Sequence, residues 1–238
     1  VEWNGCGETY PGGAPTGCWG QSAGGYGDGL GTGETGGDWV FEDSRFLHNT
    51  SDGLDLLYHR RGGTVRIART RGEGNAGNQL KAAGEVHVVN SVAVGNCGYF
   101  DGKSFTHDVD NCRAVGNAVA FAPNAADAIS MVNTTVYGEG DCLMEISECT
   151  AGTTTFTARN NVFLGDVDFL QPFEHACFYW EDCPGLDFDA DWNLVFGTKD
   201  DHPCPIGGND LCTDPQLGPT TGDEYGMVPA TTSPAIDS

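Results

Sequence analysis

Positive charge is scarce in this chain of 238 residues. Against 34 Asp and Glu it carries 11 Lys and Arg, a formal net charge of -23. That balance argues against nucleic acid and anionic membrane surfaces as partners, since like charges repel. No apolar run approaches the length of a membrane span, so no membrane insertion is expected. The ten cysteines include no Cys-x-x-Cys pair and the six histidines are scattered, which is the wrong spacing for zinc. A Gly-x-Ser-x-Gly elbow, a phosphate-binding glycine loop and a His-Glu-x-x-His helix are also missing. No segment shows a sustained helical stripe with caps, and no signal peptide stands at the start, so the chain is expected to begin as a mature or trimmed protein.

What is abundant is glycine, 36 residues spread through short apolar segments rather than gathered into a low-complexity run. A chain of this length and pattern buries a core despite its charge. The cysteines fall as near neighbours: Cys6 and Cys18, Cys97 and Cys112, Cys142 and Cys149, Cys177 and Cys183, Cys204 and Cys212. They are read as up to five local disulfides of an exported or cell-surface protein, with the connectivity left open by sequence alone.

A repeat runs through the middle of the chain. Asn49, Asn75, Asn96 and Asn117 end short apolar strands at intervals of 26, 21 and 21 residues. A second marker recurs as Asp43-Ser44, Asn90-Ser91, Asn111-Cys112, Asn133-Thr134 and Asn160-Asn161. Between the markers lie alternating segments such as Val65-Arg66-Ile67, Val86-His87-Val88-Val89 and Ile129-Ser130-Met131-Val132. Alternation over four to six residues within a period of 20-odd predicts an all-β fold, a right-handed parallel β-helix (solenoid). Asn at a recurring corner tolerates left-handed backbone and hydrogen-bonds along the ladder, so the asparagines are mainly structural and the sequon at Asn49 is read as coincidental. Residues 1–24 read as a cap rich in Cys and Gly, 25–165 as the coils, and 166–238 as a decaying coil, loop and closing cap of the same domain.

One stretch of the repeat carries chemistry. Asn49-Thr50-Ser51-Asp52-Gly53-Leu54-Asp55 aligns on Asn75-Ala76-Gly77-Asn78-Gln79-Leu80-Lys81, and the earlier Asp28-Gly29-Leu30-Gly31 puts Asp28 under Asp52. In a solenoid such residues are neighbours, so Asp28, Asp52 and Asp55 are expected to converge and to need neutralising. An all-oxygen set of this kind suits Ca²⁺. Lys81 stacks over Asp55, either as a cross-coil ion pair or as a base beside a metal. Nine of the 11 cationic side chains lie between Arg45 and Arg113. Among them, Arg60, Arg61, Arg69, Lys103 and Arg113 are candidates to contact an anionic polysaccharide.

The pair Ser51-Asp52-Gly53-Leu54-Asp55-Leu56 and Gly77-Asn78-Gln79-Leu80-Lys81 resembles the core of the pectate lyase-like β-helix enzymes, nearest in motif to family nine of the polysaccharide lyases. The resemblance covers roughly residues 25–120. It implies that Asp52 and Asp55 ligate Ca²⁺, with Asp28 as a third ligand. Lys81 would be the base that takes the C5 proton of a uronate before β-elimination. Ser51 stands where the family commonly has another Asp, Gln79 replaces its glycine, and the chain is short for such a lyase. Cys212-Thr213-Asp214-Pro215 and Thr232-Ser233-Pro234-Ala235-Ile236-Asp237 resemble the closing segment of many secreted bacterial β-helix proteins. Two other readings stand beside the lyase. One is a non-catalytic extracellular β-helix that binds glycan or builds structure with Ca²⁺ as a staple. The other is a glycoside hydrolase using Asp108 and Asp110, or Asp166 and Asp168.

Overall fold

The computed structural model describes residues 1–9, 15–18, 27–95, 99, 117–138, 142–149, 152–165, 177–180, 183–198, 204–218 and 226–236. A short antiparallel pair opens the chain, β1 (Cys6–Thr9) with β2 (Pro15–Cys18). Three six-stranded sheets follow, each built from strands of successive coils and parallel throughout. The first holds β3 (Leu30–Gly31), β6 (Leu54–Leu56), β9 (Leu80–Ala83), β12 (Val119–Ala122), β15 (Cys142–Ile146) and β18 (Cys177–Tyr179). The second holds β4 (Trp39–Glu42), β7 (Thr64–Ala68), β10 (Glu85–Val89), β13 (Ala128–Val132), β16 (Thr154–Arg159) and β19 (Leu186–Asp191). The third holds β5 (Arg45–Leu47), β8 (Arg71–Glu73), β11 (Val92–Gly95), β14 (Thr135–Gly138), β17 (Val162–Gly165) and β20 (Leu194–Phe196). This is a parallel β-helix, as the alternation predicts. No helix among the described residues is long and apolar enough to cross a membrane.

Strict register makes the core. Leu54, Leu80, Val119, Met144 and Phe178 stack in one inward column of the first sheet. Val65, Val86, Ile129 and Phe156 form another column in the second, and Ile67, Val88 and Met131 a third. All of them are buried, and each such side chain contributes about 1.5–3 kcal/mol of hydrophobic stabilisation. A one-residue slip would turn every one outward, so alternation fixes the register.

The corner between the second and third sheets repeats a left-handed residue: Asp43, Arg69, Asn90, Asn133 and Asn160 have φ of 50, 49, 50, 51 and 56°. The next residue inward builds a polar ladder. Asn161 Oδ1 accepts the Thr134 N–H at 2.9 Å, and Asn193 Oδ1 accepts the N–H and Nδ2 of Asn161 at 3.1 and 3.0 Å. Asp210 closes it by accepting from both nitrogens of Asn193, at 2.8 and 3.1 Å. Buried backbone donors at each corner therefore find partners on the next coil.

Coil length is far less regular than the markers imply. Partners on adjacent coils of these two sheets lie 26, 21, 43, 27 and 32 residues apart along the chain. Because β10 pairs directly with β13, no further coil separates them. Asn96 and Asn111-Cys112 lie outside the described residues. A sixth coil, β18, β19 and β20, is present in all three sheets, with strands to Phe196 in the stretch read as the decaying coil. Leu211 then covers the open edge of β20, accepting the Val195 N–H at 2.9 Å and donating to Asn193 O at 2.8 Å.

Two of the expected disulfides are corrected. Cys204 pairs with Cys212 as expected, but Cys142 joins Cys177 and Cys149 joins Cys183. The physical reason is the solenoid itself: β15 and β18 are adjacent strands with Cys142 opposite Cys177 in register. Neighbours in space are thus one coil apart, not a few residues apart. Cys97 and Cys112 lie outside the described residues. Cys6 and Cys18 stand opposite each other in the register of β1 and β2, whose side chains are likewise outside the described set.

Candidate metal and catalytic site

The chain turns from the third sheet into the first through a buried polar corner. Asn4 N–H donates to Asn49 Oδ1 at 3.0 Å, and Asn49 in turn donates its N–H and Nδ2 to Asn75 Oδ1 at 2.9 and 2.7 Å. The ladder ends inside one coil. Gln79 Oε1 accepts from Asn75 N–H at 3.0 Å and Nδ2 at 2.8 Å, while its own amide donates to the Asn75 and Gly77 carbonyls. Gln79 thus does the work of the next asparagine, which accounts for its presence where the resembling family has glycine.

Asn117 does not continue that ladder. It belongs to the neighbouring column, Asp28–Asp52–Asn78–Asn117. Asp28 Oδ1 accepts the Asp52 N–H at 3.0 Å, and Asp52 Oδ1 accepts Asn78 N–H and Nδ2 at 2.6 and 3.0 Å. Asn78 Oδ1 accepts the same two groups of Asn117, at 3.1 and 3.2 Å. Three residues on, the outward positions of the first sheet form a second column: Gly31, Asp55, Lys81, Ala120, Glu145 and Tyr179.

These columns bring the expected residues together. Carboxylate oxygens of Asp28, Asp52 and Asp55 all lie within 4.8 Å of one another. Lys81 Nζ sits 3.1 Å from Asp52 Oδ2 and 3.5 Å from Asp55 Oδ2. Asp52 is 2% exposed, and the side chains of Asp55 and Lys81 are each 17% exposed. Burial pushes the Asp55 carboxyl above its usual range, and the charges of Asp52 and Asp28 push the same way. The Lys81 ammonium and the Leu57 N–H, which donates to Asp55 Oδ1 at 2.9 Å, act against that rise without cancelling it.

The donor set fits a hard divalent cation. Oxygens on opposite sides of a Ca²⁺ are about 4.8 Å apart, twice a Ca–O distance of ~2.4 Å, so three oxygens inside that limit match its reach. Gly31 keeps the place open, because a Cβ there would come within 2.6 Å of Asp28 Oδ2. Asp28, Gly31, Asp55 and Tyr58 line a cleft of about 550 Å³. Lys81 lines a second hollow of about 160 Å³ with Asn78, Glu145 and Glu148. Three carboxylates face one ammonium, so the cluster keeps excess negative charge. Ser51, at the position of the family's further Asp, is buried, and its carbonyl accepts the Gly77 N–H at 2.8 Å.

Of the expected cationic contacts, Arg60 lies nearest in partnership, bound to Glu148 of the second hollow at 2.7 Å. Arg61 is held by Glu34 at 3.0 Å. Arg69 sits at the corner between the second and third sheets and is gripped by Asp43 at 2.8 and 2.9 Å, so it is not brought to the cluster. Lys103, Arg113, Asp108, Asp110, Asp166 and Asp168 lie outside the described residues. Glu145 and Glu148 are additions that the sequence reading missed. Glu145 was legible as the lone polar residue of Cys142-Leu143-Met144-Glu145-Ile146, but its position over Lys81 needs the register Lys81–Ala120–Glu145. Its carboxylate accepts a hydrogen bond from Asn117 Nδ2. No protein-family model, curated protein or solved structure matches the chain.

Proposed function

We propose that the chain is a secreted, Ca²⁺-dependent polysaccharide lyase that cleaves a uronate-containing, pectate-like glycan by β-elimination. The observation that carries this reading is the placement of the Lys81 ammonium against Asp52 and Asp55, which cluster with Asp28 where the chain enters the first sheet. Asp28, Asp52 and Asp55 would hold the cation. When bound, Ca²⁺ supplies positive charge that grips the uronate carboxylate and favours the neutral form of the neighbouring lysine. Lys81 Nζ takes the proton at C5 of the uronate, the C4–O bond breaks to leave a C4–C5 double bond, and the departing oxygen takes a proton from water to leave as the hydroxyl of the other fragment. Asp52 is locked by Asn78, which fixes the rotamer of the acid that touches Lys81. With Glu145 added to the three acids, the groove repels a polyuronate by itself, so the cation is needed for binding as well as for chemistry.

A second reading is favoured by the ion pairs: Arg60, Arg61 and Lys81 all have carboxylate partners. On that reading the protein is a non-catalytic extracellular β-helix, structural or glycan-binding, in which Ca²⁺ only stabilises the corner. Incubation with polygalacturonate and other uronans, first with Ca²⁺ and then with chelator, separates the two. A calcium-dependent rise in ultraviolet absorbance from unsaturated ends that is lost in Lys81→Ala supports the lyase. No rise on any uronan, with chelator still lowering the melting temperature, supports the structural reading. The three disulfides among the described residues suit an oxidising, extracellular setting.

A further inference from the structure

The corner between the second and third sheets takes a polar residue with left-handed backbone: Asp43, Arg69, Asn90, Asn133 and Asn160 in the first five coils. Asn and Asp tolerate that conformation through local hydrogen bonds, and Arg69, the one long side chain among the five, is held by Asp43. In the sixth coil the same place holds Trp192 at φ 58°. Packing does not explain it. Trp192 is 61% exposed and makes no ring contact among the described residues. Trp3, also left-handed at φ 63°, has its ring 5.3 Å from that of His48 and 5.6 Å from that of Tyr99. An uncovered indole on left-handed backbone, in a column of polar residues, marks a place kept for contact with something else.

Beside Trp192 opens a cavity of about 310 Å³, lined by Asn133, Asn160 and Asn209 with apolar surface from Leu194 and Leu211. Its size is near the lower end of ligand pockets, which span about 300–1,000 Å³. One carboxylate organises it. Asp191 Oδ1 accepts the Trp192 N–H at 3.1 Å and the Asn209 N–H at 2.6 Å, and Oδ2 accepts Asn209 Nδ2 at 3.0 Å. Asn133 and Asn160 are exposed on the same corner. Arg159, the cation beside Asn160 in the chain, is held by Asp189. The surface therefore offers a flat apolar ring and amides that both donate and accept, next to the negative charge of Asp191. An anion is disfavoured there. A pyranose ring fits, with its C–H face on the indole and its hydroxyls on the amides.

We propose that Trp192, with Asn133, Asn160 and Asn209, binds an uncharged sugar unit of a polysaccharide. The site is on a different corner of the solenoid from the carboxylates and Lys81, and it stands whether or not Lys81 catalyses. Calorimetric titration of the full chain with neutral gluco-, manno-, xylo- and galacto-oligosaccharides, and with oligogalacturonate, tests it. Wild type is expected to bind at least one neutral series. Trp192→Asn, which restores the residue type of the column, should weaken that binding about tenfold or more, the loss expected when one aromatic contact face is removed. Its melting temperature should be equal or higher. Asn160→Gly, which removes an exposed amide but keeps the left-handed backbone, should weaken binding several-fold and guards against any folding defect in the first variant. Absence of binding to every neutral series overturns the proposal. So does undiminished binding by both variants, or oligogalacturonate binding at this corner more tightly than any neutral sugar. Uronan cleavage is measured in parallel and should not change in Trp192→Asn, so this proposal and the lyase reading fail separately.

Discussion

Asn78 lies one coil beyond Asp52 and directs both its backbone N–H and its side-chain Nδ2 onto a single carboxylate oxygen, Asp52 Oδ1, at 2.6 and 3.0 Å. The other oxygen, Oδ2, is thereby turned toward Lys81. Asp52 is at once a rung of a structural ladder and a charge in the candidate site.

That double role separates two substitutions. Asp52→Asn keeps an oxygen for Asn78 and uses the residue type that the column already holds at Asn78 and Asn117, so it should fold with little loss. Asp52→Ala leaves two buried donors of Asn78 without an acceptor and should cost about 1–3 kcal/mol. Both should lower Ca²⁺ affinity. Urea denaturation in chelator reads the first effect and calorimetric Ca²⁺ titration the second. Equal destabilisation by the two variants would show that the ladder does not hold this corner.

The disulfide pattern makes a covalent prediction. Peptide mapping without reduction should recover Cys142 linked to Cys177 and Cys149 linked to Cys183, closing segments of 35 and 34 residues. Replacing Cys142 and Cys177 together by Ala should cost about 3–4 kcal/mol, the loop-closure value for that length. Recovery of a Cys142–Cys149 peptide would contradict the register of β15 on β18.

The fold was legible in the sequence because a solenoid writes its period and its alternation along the chain, and Val65, Val86 and Ile129 do sit in one column. Convergence of Asp28, Asp52, Asp55 and Lys81 was legible for the same reason, since their coils differ little in length. What failed was counting. Asn117 belongs to the column of Asp52 and Asn78 and not to that of Asn49 and Asn75, because 39 residues separate it from its neighbour Asn78 and no local pattern announces so long a coil. The Cys142–Cys177 pairing was hidden by the same irregularity, and Trp192 because it ends a column of polar corner residues. Glu145 needed register across two coils before it could be placed near Lys81.

Acid should favour the metal-free fold at one position. Asp55 has its folded-state pKa raised above 3.8, first by burial and then by Asp52 and Asp28. The native state therefore binds more protons than the unfolded chain between 3.8 and the raised value, and this group's contribution to stability falls as pH rises through that window. In chelator, wild type should lose stability relative to Asp55→Asn as pH climbs from about 4 toward neutrality, and the difference should be flat below the unfolded value of Asp. Ca²⁺ should reverse the order at neutral pH, since the charged form is the one that ligates. Paired urea titrations across pH, with and without Ca²⁺, read both signs. An Asp55→Asn difference that does not vary with pH would mean that the carboxyl is not desolvated in the folded protein.

Lys81 and a divalent cation want the same oxygens. With its ammonium 3.1 Å from Asp52 and 3.5 Å from Asp55, Lys81 is a counter-charge to the clustered acids. Lys81→Met removes it while keeping the apolar stem, so the metal-free protein should lose about 1–3 kcal/mol as clustered carboxylates are left to repel. The same loss removes a competitor, so Ca²⁺ should bind Lys81→Met more tightly than wild type and restore most of its stability. Uronan cleavage, on the lyase reading, should disappear in this variant even though its Ca²⁺ site is better filled. That combination, tighter metal with no turnover, separates a base from a staple: a lysine that merely neutralised the cluster would leave cleavage intact once Ca²⁺ had taken its place. Melting curves in chelator and in Ca²⁺, with absorbance assays at saturating Ca²⁺, measure the three effects on one preparation. If Ca²⁺ affinity falls instead, Lys81 supports the site rather than competing for it, and its assignment as the base loses its geometric ground.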